Sequence, residues 1–151
     1  MVDWENEPDW NRMEILQVVA KAADCVEAVQ DLCSSEQDAK CVRKAIHMAK
    51  QLVSDNAESF PATDQLHKTW TELGEACTRA HKDENAFSAT YSAKALCYCV
   101  DEARTCLALE RAHIQARRNG VPYNPSPSFR DGAITWARLA FERAKRAQSS
   151  E

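Results

Sequence analysis

The sequence predicts an all-α protein: one domain over residues 1–151, built as a bundle of about five helices around a long central fourth helix. Three observations carry this. Only three Gly and five Pro interrupt the chain, which is otherwise rich in Ala, Glu, Lys, Gln and Arg, residues that favour helix. Apolar residues recur at steps of four and three along most of its length. Finally, residues 83–118 carry apolar surface around most of a helical circumference. Ala89, Ala93, Leu96, Val100, Ala103, Leu107 and Ile114 form one stripe, interrupted once by Glu110, with Cys99 and Cys106 beside it. Phe87, Tyr91, Ala95, Tyr98 and Leu109 extend it, leaving only the arc of Thr90, Lys94, Asp101, Arg104 and Gln115 to read as solvated. So narrow a polar face needs neighbours on several sides. The small residues Ser88, Ala89, Ser92, Ala93 and Ala103 would let those neighbours come close.

The first helix is expected from about Pro8 to Cys33, on the stripe Ile15, Val19, Ala22, Val26, Val29, Cys33. Pro8 suits a first helical position, where its missing N–H is no loss. Residues 1–7 precede it as an acidic arm carrying Trp4. Ser34-Ser35 supplies the turn, with Ser35 as cap of a second helix striped by Ala39, Val42, Ile46, Ala49 and Val53 and ending near Ala57. Phe60-Pro61 breaks the chain, because the residue before proline is pushed out of the α region. Thr63 then caps a third helix with the face Leu66, Trp70, Leu73, Cys77, Ala80.

No Gly or Pro separates the third helix from the fourth, and the stripe continues to Phe87 and Tyr91. One helix of over fifty residues is therefore the alternative; a tight turn capped by Asp83 is preferred, since the remaining chain could not cover so long a rod. Asn119-Gly120 and Pro122 end the fourth helix, and Arg117 and Arg118 suit its negative pole. A proline-rich loop over 119–127 leads to a fifth helix from Ser128, striped by Ala133, Ala137, Ala140, Ala144 and Ala147, and 148–151 form a frayed tail.

Net charge is −4, but unevenly spread: residues 1–103 hold ten basic and nineteen acidic residues, residues 104–151 nine and four. Such polarity points to an internal fit or to a charged partner. The seven cysteines are odd in number and spaced to suit helix faces, which reads as reduced core thiols rather than a disulfide framework. No apolar run approaches the roughly 20 residues that span a bilayer, and the acidic N-terminus lacks a signal-like apolar stretch. A cytoplasmic protein without a membrane partner is the expectation.

Candidate chemistry is thin. Glu110-x-x-His113 matches one of the two Glu-x-x-His pairs that, with a Glu from each of two other helices, make a di-metal carboxylate site, and Glu110 lies in line with Leu107 and Ile114 as a candidate buried carboxylate. The only similar pair, Asp64-x-x-His67, falls about 15 Å out of level in an antiparallel hairpin, so no metal or other cofactor is expected. Cys99, Cys106 and His113 are each about 10.5 Å apart along the helix, too far to share one ion. His47 reads as a histidine at the edge of the second helix's stripe. No nucleophile elbow or phosphate-cradling Gly-rich loop occurs, so an enzyme is not expected. Basic residues at the end of the chain, Arg138, Arg143 and Arg146 among them, could meet phosphates, although a pI near 5.6 argues against a dedicated nucleic-acid binder. Trp4, Trp10 and Tyr123, with those three arginines, are the candidate partner-binding residues.

The run Arg43-Lys44-Ala45-Ile46-His47-Met48-Ala49-Lys50, followed by Ser88-Ala89-Thr90-Tyr91-Ser92-Ala93-Lys94-Ala95, resembles the layout of small helical bacterial immunity-type proteins, antidotes to polymorphic toxins. The likeness spans residues 15–118 and does not reach the proline loop or the last helix. It implies a non-enzymatic protein that works by occluding another, and it transfers no particular residue. The expected function is thus a non-catalytic interaction protein that neutralises or scaffolds a protein partner through the acidic face of its first three helices. The alternative is a ligand- or metal-binding bundle centred on Glu110 and His113; a lesser one is a nucleic-acid-associated subunit using the basic last helix.

Overall fold

A computed structural model describes residues 2–55, 63–121 and 128–149. Among them are five α-helices and no strand: α1 (Ile15–Glu27), α2 (Glu36–Ser54), α3 (Thr63–Arg79), α4 (Glu84–Arg118) and α5 (Ser128–Ser149). The all-α bundle is as expected, and α4 touches each of the other four helices. Its small residues are where the neighbours close in: Ser88, Ala89, Ser92, Ala93 and Ala103 are all buried.

Local chemistry explains the boundaries. Ser35 Oγ accepts the Asp38 N–H at 3.2 Å to cap α2, and Asp83 accepts the Ala86 N–H at 3.1 Å to cap α4. The Asp83 turn therefore exists, and α3 and α4 are separate helices. At the far end of α4, Gly120 adopts φ +69°. Its N–H reaches the Arg117 carbonyl at 3.1 Å, and the Val121 N–H reaches Ala116 at 2.8 Å, the paired bonds of a Schellman ending. The break expected at Phe60-Pro61, most of the proline loop with Tyr123, and the last two residues lie outside the described residues.

α1 is shorter than its stripe suggested. The chain before it forms a 3-10 turn at Trp10–Arg12, and the helix begins after Glu14, whose N–H donates to the Gln17 side chain at 2.9 Å. Pro8 thus stands before the helix, not at its start. At the other end α1 unwinds after Glu27 into a second 3-10 turn at Gln30–Leu32, yet Val29 stays fully buried. Periodicity marked which side chains go inside; it did not require the backbone to remain α-helical.

α4 and α5 run antiparallel. Arg146 pairs with Glu84 at 3.3 Å, Trp136 stacks on Tyr98 at 4.3 Å, and Gly132 faces the side chain of Glu102. A Cβ on Gly132 would lie 3.0 Å from the Glu102 carboxyl carbon, so glycine here permits the close approach. Level with Ser128, near Cys106, α5 begins; the last twelve residues of α4, about 18 Å of helix, project past it. That corrects the stripe: Ile114, expected inside, is 52% exposed, and Glu110 is exposed. The polar arc also needs correction. Thr90 is wholly buried, its hydroxyl donating to the Ala86 carbonyl at 2.7 Å, while Lys94 is half-buried over the rings of Trp70 and Tyr91.

The acidic arm folds back over α5. Trp10 is 1% exposed and meets the Phe141 ring edge-on at 6.4 Å, and Trp4 lies 5.8 Å from the same ring. Glu7 accepts the Trp10 indole N–H at 3.1 Å and pairs with Arg138 at 3.1 Å. Arg130 donates to the Met13 carbonyl and, at 3.5 Å, to that of Asn11.

Candidate functional site

The concave surface with the most concentrated chemistry is a groove between α2 and α3. Lys40, Arg43, Lys44 and His47 follow one another at steps of three, one and three, so helical geometry sets them along one side of α2, and all four are exposed. Across from them α3 contributes Gln65, Lys68 and Thr69. The space enclosed is about 500 Å³, floored by the buried Met48 and Thr69. That is the size of a small-molecule or side-chain pocket.

Its charge is one-sided at the end nearest Lys68. Among the described residues, four cations and an imidazole line this hollow and no carboxylate does. Arg43 reaches back to Glu36 on its own helix, a carboxylate 83% exposed, and Lys44 contacts Glu72 at 3.4 Å. Among the described residues Lys40 and Lys68 make no ion pair. Towards the start of α2 the groove continues into a second hollow of about 390 Å³, which shares Lys40 and Lys44 with the first and adds Glu72, Glu75 and Arg79, so that the signs are mixed. There the Arg79 guanidinium donates to the buried Asp38 carboxylate at 2.5 Å and ties α3 to α2.

The groove is a donor surface, suited to holding an anion. The nearest thiol, Cys41, donates to Glu72 at 3.5 Å; burial, and then that carboxylate, raise its pKa. The other six cysteines are raised too, in each case chiefly by burial: Cys25, Cys33 and Cys77 to about 11, Cys97 and Cys99 to about 12, Cys106 by a lesser amount. Six of the seven are buried and all seven are free. They are protonated at neutral pH and pack as small hydrophobes.

The other candidate residues lie elsewhere. Glu110 sits on the projecting end of α4, accepting the Cys106 thiol at 3.8 Å, so it is no buried carboxylate; His113 is half-buried one turn on. Among the described residues no three His, Cys, Asp or Glu side chains are grouped to hold a metal ion. Trp10 is internal, which removes it from any contact surface, and Trp4 is partly covered. Arg138 is paired with Glu7 and Arg146 with Glu84, while Arg143 lies 4.7 Å over the Tyr91 ring. The basic face of α5 is therefore largely spent within the fold. No helix among the described residues is long and apolar enough to cross a membrane.

Sequence reasoning missed the groove. Lys40, Arg43, Lys44 and His47 stand at helical spacing in the sequence, where His47 reads as an edge residue of the apolar stripe; Lys68 joins them only through the pairing of α2 with α3. No family model, curated protein or solved structure matches this chain.

Proposed function

We propose that this chain is a non-enzymatic interaction protein that neutralises or scaffolds a protein partner, the role that the immunity-type resemblance implies, by taking an acidic segment of that partner into the α2–α3 groove. One observation carries the reading: Lys40, Arg43, Lys44 and Lys68 converge on one concavity of about 500 Å³, in a half of the chain that is otherwise strongly acidic. Like charges gathered in a hollow repel one another and attract a complementary chain, and such complementarity sets specificity and association rate. The contact surface is thus a basic pocket within the acidic half, in place of the acidic face expected from sequence. A cytosolic location belongs to the same proposal, because seven free thiols suit a reducing compartment.

The test is binding of an oligoglutamate peptide, followed by fluorescence anisotropy, for the wild type and Lys40→Glu/Lys68→Glu. Both positions are exposed, so the fold should survive, as circular dichroism would verify. The wild type is expected to bind with an affinity that falls as salt rises, since exposed charges are screened over about 10 Å at 0.1 M salt. The double variant should lose that binding. Equal binding by both proteins, or none by the wild type at low salt, refutes the reading.

A further inference from the structure

The composition of the groove narrows what it recognises. We infer that its Lys68 end is a site for a phosphate monoester dianion; this rests on the groove being the working surface, and goes beyond that in choosing phosphate over carboxylate.

The donors around this hollow come from two helices and differ in kind. Arg43 offers a planar fork, Lys40, Lys44 and Lys68 offer ammonium groups, and the buried Thr69 lines the same hollow. A carboxylate presents one negative charge and two oxygens, too little for four cations converging on a compact space. A phosphate monoester carries about −1.5 to −2 at neutral pH and three acceptor oxygens, and charge-assisted bonds to Arg and Lys are the strong ones. The convergence therefore fits the more compact and more highly charged anion.

The present partners leave room for it. Arg43 is held by Glu36, which is 83% exposed and lies on the same helix; an exposed pair of that kind is weak, and an incoming dianion can replace it. Lys68 and Lys40 have no pair to give up among the described residues, while Lys44 is shared with Glu72 at 3.4 Å and joins the other three only as a partial donor. Glu72 and Glu75 set the boundary on the other side, since anions are disfavoured where the groove turns mixed in sign. The buried Met48 offers apolar contact to the carbon atoms that bear the phosphate. Among the described residues the lining includes no Phe, Tyr or Trp, and its one ring is the His47 imidazole, so recognition falls chiefly on the phosphate and the carbon next to it.

The same dianion could arrive on a phosphorylated side chain or on a small phosphate ester. Isothermal titration calorimetry on the full chain separates these with a short phosphoserine peptide, the same peptide carrying Ser or Glu at that position, and glycerol 3-phosphate. The phosphorylated ligands are expected to bind at least about ten-fold more tightly than the Glu peptide, and Lys68→Ala or Arg43→Ala to lose about that factor, as removal of one charge-assisted contact does. Binding of glycerol 3-phosphate as tight as that of the phosphopeptide assigns a free ester; tighter binding of the phosphopeptide assigns a modified partner. Lys68→Arg should keep the binding, and melting temperatures of the variants guard against misfolding. If the Glu peptide binds as well as its phosphorylated counterpart, the inference falls while the acidic-segment reading stands. If neither binds, both fall.

Discussion

Arg79 should matter more to stability than the carboxylate it serves, although it is the exposed member of the pair. The Asp38 side chain is 2% exposed and Arg79 is 44% exposed, with 2.5 Å between them. Substituting Asp38→Asn removes the buried charge, keeps the shape and returns Arg79 to water; the loss is one charge-assisted bond, about 1–2 kcal/mol. Substituting Arg79→Ala strands a carboxylate inside. Removing one partner of a buried pair costs about 3–5 kcal/mol. Two features reduce that here: Asp38 lies in the first turn of α2, where the helix dipole favours negative charge, and the half-exposed Arg79 leaves a path for water. The dipole contribution is about 0.3–1 kcal/mol, so about 2–3 kcal/mol is expected for Arg79→Ala. Urea unfolding followed by circular dichroism measures both, and a cycle with the double variant should show the two losses to be strongly non-additive. If Arg79→Ala costs no more than Asp38→Asn, or the losses simply add, the idea that Arg79 neutralises a buried charge is wrong.

Two further outcomes follow from the helix end and the thiols. Gly120→Ala forces a Cβ into φ +69° and should cost about 1–2 kcal/mol, seen in the same unfolding assay; an unchanged midpoint would mean that the Schellman ending contributes nothing. Stability should also decline in alkaline solution. The thiols of Cys25, Cys33 and Cys77 are raised from 9.0 to about 11 and those of Cys97 and Cys99 to about 12. A raised pKa favours the fold below the unfolded value, and the advantage disappears as pH climbs through the folded one. Above pH 9 the unfolded chain therefore sheds protons that the folded chain retains. Thermal melts from pH 8 to 11 should show a falling midpoint, with a shallower fall for Cys97→Ala/Cys99→Ala; a flat profile would refute the assignment.

How far the fold was legible depended on the length of the pattern. α2 and the start of α4 could be placed by their caps, because Ser35 and Asp83 act on backbone groups a few residues away. The burial of Val29 was also readable, although the helix around it was not: a 3-10 turn carries a side chain inward as well as an α-turn does. Thr90 and Ile114 depart from the pattern for a different reason. A stripe tells which side of a helix is apolar, and it cannot tell how far along the helix its neighbours extend. Where the α1–α2 junction covers α4, with Cys33 against the hydroxyl, even Thr90 goes inside; beyond Cys106, Ile114 is 52% exposed. The groove was half legible, as four residues of α2 at helical spacing, and its meaning waited on Lys68. Trp10 shows the converse, a residue next to acidic neighbours that reads as a surface anchor and packs instead against a ring 131 positions later.

That last contact orders events during synthesis. Trp4 and Trp10 leave the ribosome well before the ring they rest on, Phe141 of α5. Closing a loop of 131 residues is entropically costly, and domains rich in such distant contacts fold slowly. The arm and its two indoles thus wait without their docking surface until α5 has been made and laid along α4. Truncation before Phe141 would remove the ring on which both indoles rest, and exposed apolar surface of that kind is what makes incomplete folds prone to aggregate.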